Sequence, residues 1–339
     1  MSVINNILEL IAQLTTKEKA ELQARLTGVL ETNSVPLEEY ITNERFSSGR
    51  FCPICGSVHV VRNACRANGT QRYLCRDCKK SFVVATNSIV SGTKKNLEVW
   101  EQYIFCMMNG FSIRKTAEIC GIHRNTAFYW RHKILDALQN MADSVELNGI
   151  VEVDETFFSV SYKGSRKMPR EARRRGGEVH LRGLSHEKVC VPCAVNRSGL
   201  SIAKASNLGR ISTQDIHNIY DGRIAQDLII VTDKMNSYVR FANANGLNLI
   251  QLKNGRSKNG IYNIQHINNY HSRLKKFMNN FNGVSTKYLN NYLIWNNFVN
   301  YAKETNKEKQ NILMQFTMTT TKNVTCRQIS HREALSICA

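Results

Sequence analysis

Two apolar, β-branched runs carry carboxylates in or just after them, and they set the fold class of the second half of the chain. Asp154 lies in GIVEVDETFF, and Asp233 closes the run LIIVT in LIIVTDKMNSY. Branched side chains crowd a helix and suit a pleated strand, so both runs read as strands. From about residue 148 strands interleave with helices: KVCVPCAVN, a helix near 213–224, a helix near 236–245, then LNLIQL. That alternation predicts an α/β domain over residues 148–302. The stretch 263–302 reads as helix, with Ile267, Tyr270, Leu274, Phe277 and Phe281 as its buried stripe. Asn268, His271 and Lys275 fall one position further on, about 100° round, at the border of core and solvent.

Ordered acids on two strands, followed by a polar helix edge, suggest a divalent-metal site for phosphoryl transfer. Two Mg²⁺ ions a few ångströms apart need hard oxygen ligands on rigid backbone. Period-two alternation puts Glu152 on the same face as Asp154, so spacing does not choose among Glu152, Asp154 and Glu155. Asn268 offers a carbonyl oxygen, and Lys275 offers a charge for a phosphate.

Upstream, Cys52-Pro-Ile-Cys55 and Cys75-Arg-Asp-Cys78 are two knuckles separated by 19 residues. Four thiolates at this spacing predict a closed, structural zinc ribbon over residues 51–82, with Tyr73 and Phe82 as its apolar cover. Cys65, between the knuckles, reads as a small core residue. Cys190-Val-Pro-Cys193 has the same spacing but lies inside a strand pattern with no second pair nearby. It reads as two buried strand cysteines.

Residues 97–140 read as helical. Within them SIRKTAEICGIHRNTAFYWRHK is a helix, a break at Gly121 and a second helix, the pattern of a helix-turn-helix. Ile113, Ala117, Cys120, Ile122, Ala127 and Trp130 form the inner face. His123, Arg124, Asn125, Phe128, Arg131 and Lys133 are left outside, where they suit phosphate and base-edge contact.

Residues 1–50 read as a helical extension and linker. Ile4, Ile7, Leu8, Ile11 and Leu14 make one apolar stripe, and Thr15 with Glu18 a capping box opening a second helix with Leu22, Leu26 and Leu30 inside. Residues 31–50 read as linker, and 303–339 as a tail without periodicity. Charge follows this division. Residues 1–50 hold 5 basic and 7 acidic side chains, 51–140 hold 13 and 5, and 141–339 hold 28 and 15, within a net charge of +19. A basic excess confined to everything after residue 50 points to a polyanionic partner. No run of about 18 apolar residues suggests a membrane span. The N-terminus lacks signal-peptide features, so the 11 cysteines point to a reducing compartment, that is, the cytoplasm.

The segments VEVDETFF, RGLSHEKVCVPCAVNRSG, LIIVTDKMNSY and NNYHSRLKKFMNNFNGVSTKYLNNYLIW, behind a zinc ribbon and a helix-turn-helix, resemble one family. It is the bacterial insertion-sequence transposases of the DDE (RNase-H-like) class, in the branch whose third acid is often Asn with Lys seven residues on. The likeness spans roughly residues 51–298. It implies an RNase-H-like catalytic domain with a mixed sheet and selects Asp154, Asp233 and Asn268 as ligands of two catalytic Mg²⁺ (or Mn²⁺) ions, with Lys275 as their partner in the motif. The implied activity is metal-dependent phosphodiester hydrolysis and strand transfer at terminal inverted repeats, with target DNA as second substrate. The implied location is the bacterial nucleoid, and the implied form a homo-oligomer on DNA ends. The basic loop Lys163 to Arg182, with Arg173, Arg174 and Arg175, would track DNA backbone. A DNA-binding regulator with a silent nuclease domain is the alternative, because Asn268 removes one negative charge from the expected triad. A zinc-dependent enzyme is a third reading, weakened because four cysteines leave the zinc no open position.

Overall fold

The computed structural model describes all residues except 1–2, 28–35, 166–167, 172–184, 226, 234, 253–257, 302–303, 322–323 and 334–339. The chain divides into two compact units, residues 1–137 with 305–329, and residues 138–304 with 330–339.

In the first unit, helices α1 (Val3–Gln13) and α2 (Thr16–Thr27) lead the chain. The capping box forms as predicted: the Thr15 amide donates to Glu18 at 2.9 Å and the Glu18 amide to Thr15 Oγ1 at 3.3 Å. Ile7 of the predicted α1 stripe is exposed, while the side chains of Ile4, Leu8, Leu26 and Leu30 lie outside the described residues. Part of the expected linker is a helix, α3 (Leu37–Arg45). Its Ile41 is buried, and so is its Arg45, whose guanidinium donates to the Val84 and Thr86 carbonyls. Both bonds come from Nη1, so backbone oxygens offset part of the cost of burying this charge.

Strands β1 (Val60–Cys65), β2 (Gln71–Cys75) and β3 (Ser81–Val83) form a three-stranded antiparallel sheet. Tyr73 stacks on Phe82 at 5.7 Å between ring centroids, the apolar cover expected there. Cys65 is a correction. It is exposed, because the register slips between Arg62 and Cys65 and the hairpin carries it outward.

Helices α4 (Leu97–Met108), α5 (Ile113–Ile119) and α6 (Arg124–Asp143) follow. Asn96 and Ser112 cap α4 and α5 by accepting the amides of Val99 and Lys115. Gly121 turns the chain at φ +57°, a region L side chains rarely adopt. Trp100 stacks on Trp130 at 3.6 Å, and Ala117, Cys120, Ile122 and Ala127 are buried as expected. Ile113 is only half-buried. Arg131, expected on the outer face, is buried instead. Its guanidinium reaches back across the turn to donate to the Phe111 carbonyl at 2.8 Å and Thr116 Oγ1 at 3.2 Å. The expected tail contains a capped helix, Asn306–Thr319, that packs on α3 and α4 through Leu313, Met314 and Met318.

The second unit is built on a five-stranded mixed sheet. Its strands are β4 (Ile150–Ser159), β5 (Lys188–Asn196), β6 (Ser201–Ala203), β7 (Ile229–Thr232) and β8 (Asn248–Gln251), in the order β6-β5-β4-β7-β8. The β4–β5 and β5–β6 pairs are antiparallel, and the β4–β7 and β7–β8 pairs are parallel. Helices α7 (Thr213–Tyr220) and α8 (Asn236–Asn245) cover one face, burying Ile216, Tyr220, Tyr238 and Phe241 against Val151, Val153 and Ile230. Helices α9 (Gln265–Asn279) and α10 (Leu289–Tyr301) pack on β4, β5 and β6. The predicted single helical stretch is broken between them, where Asn282 and Gly283 both take positive φ. All five residues of the predicted α9 stripe are buried.

Arg131 yields a test. Arg131→Ala leaves two buried acceptors without their donor and should cost about 1–3 kcal/mol. Differential scanning fluorimetry should show a melting temperature several degrees lower. Exposed Arg124→Ala should leave it unchanged within error.

Candidate catalytic and metal centres

The four predicted zinc ligands come together. The sulfurs of Cys52, Cys55, Cys75 and Cys78 all lie within 4.8 Å of one another, close enough to share one tetrahedral ion. Each knuckle closes with a left-handed residue one step after its second cysteine, Gly56 at φ +80° and Lys79 at φ +57°. The amides of Cys78 and Asp77, turned toward the Cys75 sulfur, lower its thiol to about 6, so the thiolate a metal needs is favoured. Four thiolates fit zinc by donor chemistry.

The second CxxC does not form such a site. Within β5, Cys190 pairs across from Phe157 and Cys193 from Asp154, residues of opposite parity on β4. Three positions along a strand put the two sulfurs on opposite faces of the sheet, both buried.

The same pleat sorts the acids of β4. Val151 and Val153 face α7 and α8, and Glu155 points the same way, beside the Tyr238 hydroxyl. Burial there, with the charges of Asp154 and Asp233, raises Glu155 to about 7. Glu152 and Asp154 face α9. Glu152 is fully buried and its oxygens are occupied: Oε2 accepts the His266 and Ile267 amides at 2.7 and 3.0 Å, and Oε1 meets His266 Nδ1 at 2.9 Å and Arg197 at 3.3 Å. Asp154, two residues on, keeps about a quarter of its side chain exposed (27%).

The parallel register pairs Val151 with Ile230 and Glu152 with Val231. Continued by two residues, it sets Asp233 level with Asp154 on the α9 side. Desolvation first, and then the charge of Asp233, raise Asp154 to about 6, while Lys275 opposes the shift. Asn268 and Lys275 are exposed on α9, and Lys275 also borders a cleft of about 830 Å³ at the end of β4, lined by Phe158, Tyr162 and Met168. Between them His271 is buried, with Nδ1 3.7 Å from Asp154 Oδ2. Desolvation, then Lys275, lower its pKa to about 4, so the imidazole is neutral at pH 7.

Asp154, whose proton affinity rises with burial and with the charge of Asp233, fits a divalent cation, whose charge would offset that repulsion. Neither Glu152 nor Glu155 shares this position, so the structure separates the three acids that spacing left equivalent. What sequence reasoning missed is the burial of Glu152. The available signal was a helix start, Gln265-His266-Ile267, with no acid in its first turn and no Ser, Thr, Asp or Asn at its cap.

Of the predicted DNA contacts, His123, Arg124 and Asn125 are exposed, and Phe128 and Lys133 half-buried. Arg131 is the correction given above. Arg173, Arg174 and Arg175 lie outside the described residues. Lys163, at the start of that basic segment, donates to the carbonyls of Phe281, Asn282 and Gly283 at 3.1, 3.0 and 2.7 Å, just beyond the end of α9. Among the described residues no helix is long and apolar enough to cross a membrane.

The raised Asp154 has a consequence for stability. An acid whose folded pKa lies above its unfolded one binds a proton more readily when folded, so its ionised form destabilises. For Asp154 this cost is absent below about pH 4, grows as pH rises toward about 6, and is full above it. Allowing for its partial exposure, Asp154→Asn should therefore stabilise the protein by about 1–3 kcal/mol at pH 7.5 without divalent ions. The gain should vanish near pH 4 in denaturant titrations.

Comparison with known proteins bears on residues 146–298, which match the family model of the ISXO2-like transposase domain. An uncharacterised protein in transposable element ISH50 of Halobacterium salinarum (strain ATCC 700922 / JCM 11081 / NRC-1) is 30% identical over 145 residues, 42% of this chain and 48% of the relative. The chain thus spans about half the length of that curated relative. Among solved structures, a pre-cleavage Mos1 transpososome aligns over 63% of this chain and 75% of its own, at 10% identity and a TM-score of 0.27, too slight a likeness to carry an argument. The candidate site on β4, α9 and the end of β7 therefore lies inside the segment, residues 146–298, that matches the ISXO2-like transposase domain.

Proposed function

We propose that this chain is a DNA transposase that cuts phosphodiesters at the terminal inverted repeats of its element and joins the freed 3′-OH to target DNA. One observation carries the reading: Asp154 on β4 feels the charges of Asp233, just past the adjacent strand β7, and of Lys275 on α9, inside a segment that matches a transposase domain. Asp154, Asp233 and the carbonyl oxygen of Asn268 would hold two Mg²⁺ (or Mn²⁺) ions. When bound, these supply a polarised phosphate and charge stabilisation for the attacking and leaving oxygens.

The chain's own residues then have separable tasks. Asp154 and Asp233 provide fixed negative charge on backbone that does not yield, because β4 is paired on both sides. Lys275, two helical turns past Asn268, holds a non-reacting phosphate. His271 stays neutral and buried, and so excludes water beneath Asp154 without competing for it as a cation. His123, Arg124, Asn125, Phe128 and Lys133 on and before α6 contact the repeat as a helix-turn-helix, and the cysteine-bound zinc holds the ribbon ahead of it. Arg173, Arg174 and Arg175 follow the DNA backbone. Double-stranded repeat and target DNA are the partners, and a homo-oligomer assembles on paired ends. The regulator reading has one feature in its favour, the neutral Asn268. A substrate phosphate would supply part of the missing negative charge.

Supercoiled plasmid carrying the element's ends, incubated in Mn²⁺, should be nicked by the wild-type chain. Asp154→Ala or Asp233→Ala should reduce nicking to background while gel-shift affinity for repeat DNA stays within about twofold, the signature of losing chemistry and not binding. A wild-type chain that binds repeats but never nicks would give the regulator reading the advantage. For the ribbon, metal analysis should find one zinc per chain, lost in Cys75→Ser with a lower melting temperature. A folded, zinc-free wild type would refute that assignment.

A further inference from the structure

The start of α9 is capped locally at only its first amide, that of Gln265, which donates to Asn263 Oδ1 at 3.1 Å. Its N-cap residue, Ile264, makes no side-chain bond, and its first turn holds no acid. Helix starts leave backbone N–H groups unpaired, and a nearby oxygen normally accepts those of the second and third residues. Here that oxygen comes from 114 residues away. Glu152 Oε2 accepts the amides of His266 and Ile267, the second and third residues of α9, at 2.7 and 3.0 Å. The other oxygen is held by His266 Nδ1 at 2.9 Å and by Arg197, in the turn between β5 and β6, at 3.3 Å. Arg197 also donates to the Ile261 carbonyl at 3.0 Å, tying the approach to α9 into the same cluster. The carboxylate is wholly buried, so water is not available to replace any of these donors.

The placement matters for the site. Glu152 is two residues before Asp154 on one face of one strand, and Ile267 immediately precedes Asn268. We propose that Glu152 is a positioning residue: a cap supplied by the catalytic strand that fixes the depth and rotation of α9, and with them Asn268 and Lys275, against Asp154. The carboxylate serves because it accepts four donors at once and opposes the positive end of the helix dipole. It is not a metal ligand, since each oxygen already meets two donors inside the fold. The catalytic part of this inference rests on the transposase reading above; the capping part does not.

Glu152→Gln tests it, because the amide keeps the size but turns one acceptor into a donor facing His266 and Arg197. Two readouts separate the parts. Amide hydrogen exchange, measured without DNA or divalent ions, should accelerate at least about tenfold at His266 and Ile267 while β7 amides keep their protection, as for a local opening. Nicking in Mn²⁺ should lose about 10- to 100-fold in kcat, the usual scale for a residue that orients ligands, with KM for DNA unchanged. A merely destabilising change would lower the active fraction and protection everywhere. Wild-type exchange at His266 and Ile267, or wild-type kcat in the folded variant, overturns the proposal. If Glu152→Gln does not fold, His266→Ala and Arg197→Ala each remove one donor from a partly exposed side chain. A lower kcat in either then supports the clamp, and wild-type kcat in both overturns it. If wild type itself never nicks, the transposase reading fails, and the exchange experiment alone decides whether Glu152 holds the helix.

Discussion

The pleat of β4 is the constraint on which the catalytic unit depends. This strand is central in its sheet, paired along nine residues with β5 on one side and in parallel with β7 on the other. Its register cannot slip by one residue without turning Val151 and Val153 out of a closed apolar core and burying Asp154 in their place. Core packing on the α7 and α8 side thus holds the acids on the α9 side. The same alternation explains why three acids within four residues have three environments: a helix clamp at Glu152, a half-open charge at Asp154, and a core-facing carboxyl at Glu155.

Electrostatics at this edge is arranged against the folded state. Asp154 is raised by burial and by Asp233, and His271 is held neutral by burial and by Lys275. Like charges kept close without a counter-ion cost stability, and such costs persist where surrounding structure overdetermines the geometry. Here the overdetermination is visible in the paired strand, the buried α9 stripe and the aromatic packing of Phe277 and Phe281 on Trp295 at 5.3 and 5.0 Å.

Much of the first unit was legible from spacing. Two CxxC knuckles are self-describing, because each bends the chain locally and four sulfurs need only be brought together once. The capping box at Thr15 and Glu18, the turn at Gly121 and the buried Ala117 and Ala127 are likewise local or nearly so. Arg131 was misread because helical periodicity marks only which side a residue starts from. A long guanidinium stem can carry its charge back across the turn to the Phe111 carbonyl. Arg45 follows the same logic, and with it the helix Leu37–Arg45 in what read as linker. Cys65 failed for a different reason, a register slip in a short hairpin that no alternation pattern encodes.

By itself, then, the sequence determined the strands and helices of the second unit, the four-cysteine cluster and the buried stripe of α9. These depend on periodicities of two and 3.6 residues and on short-range chemistry, which a single chain carries in full view, whereas the choice of Asp154, Asp233, Asn268 and Lys275 came from the resemblance to a family. Only the tertiary structure decided which of Glu152, Asp154 and Glu155 faces Asp233, that the sulfurs of Cys190 and Cys193 lie on opposite faces, and what caps α9. Those answers require knowing which strand neighbours β4 and in what register, and that follows from burial summed over the whole sheet. The incompletely capped start of α9 and the buried carboxylate of Glu152 are each unremarkable along the chain. They become one interaction only when folding closes the 114 residues between Glu152 and His266.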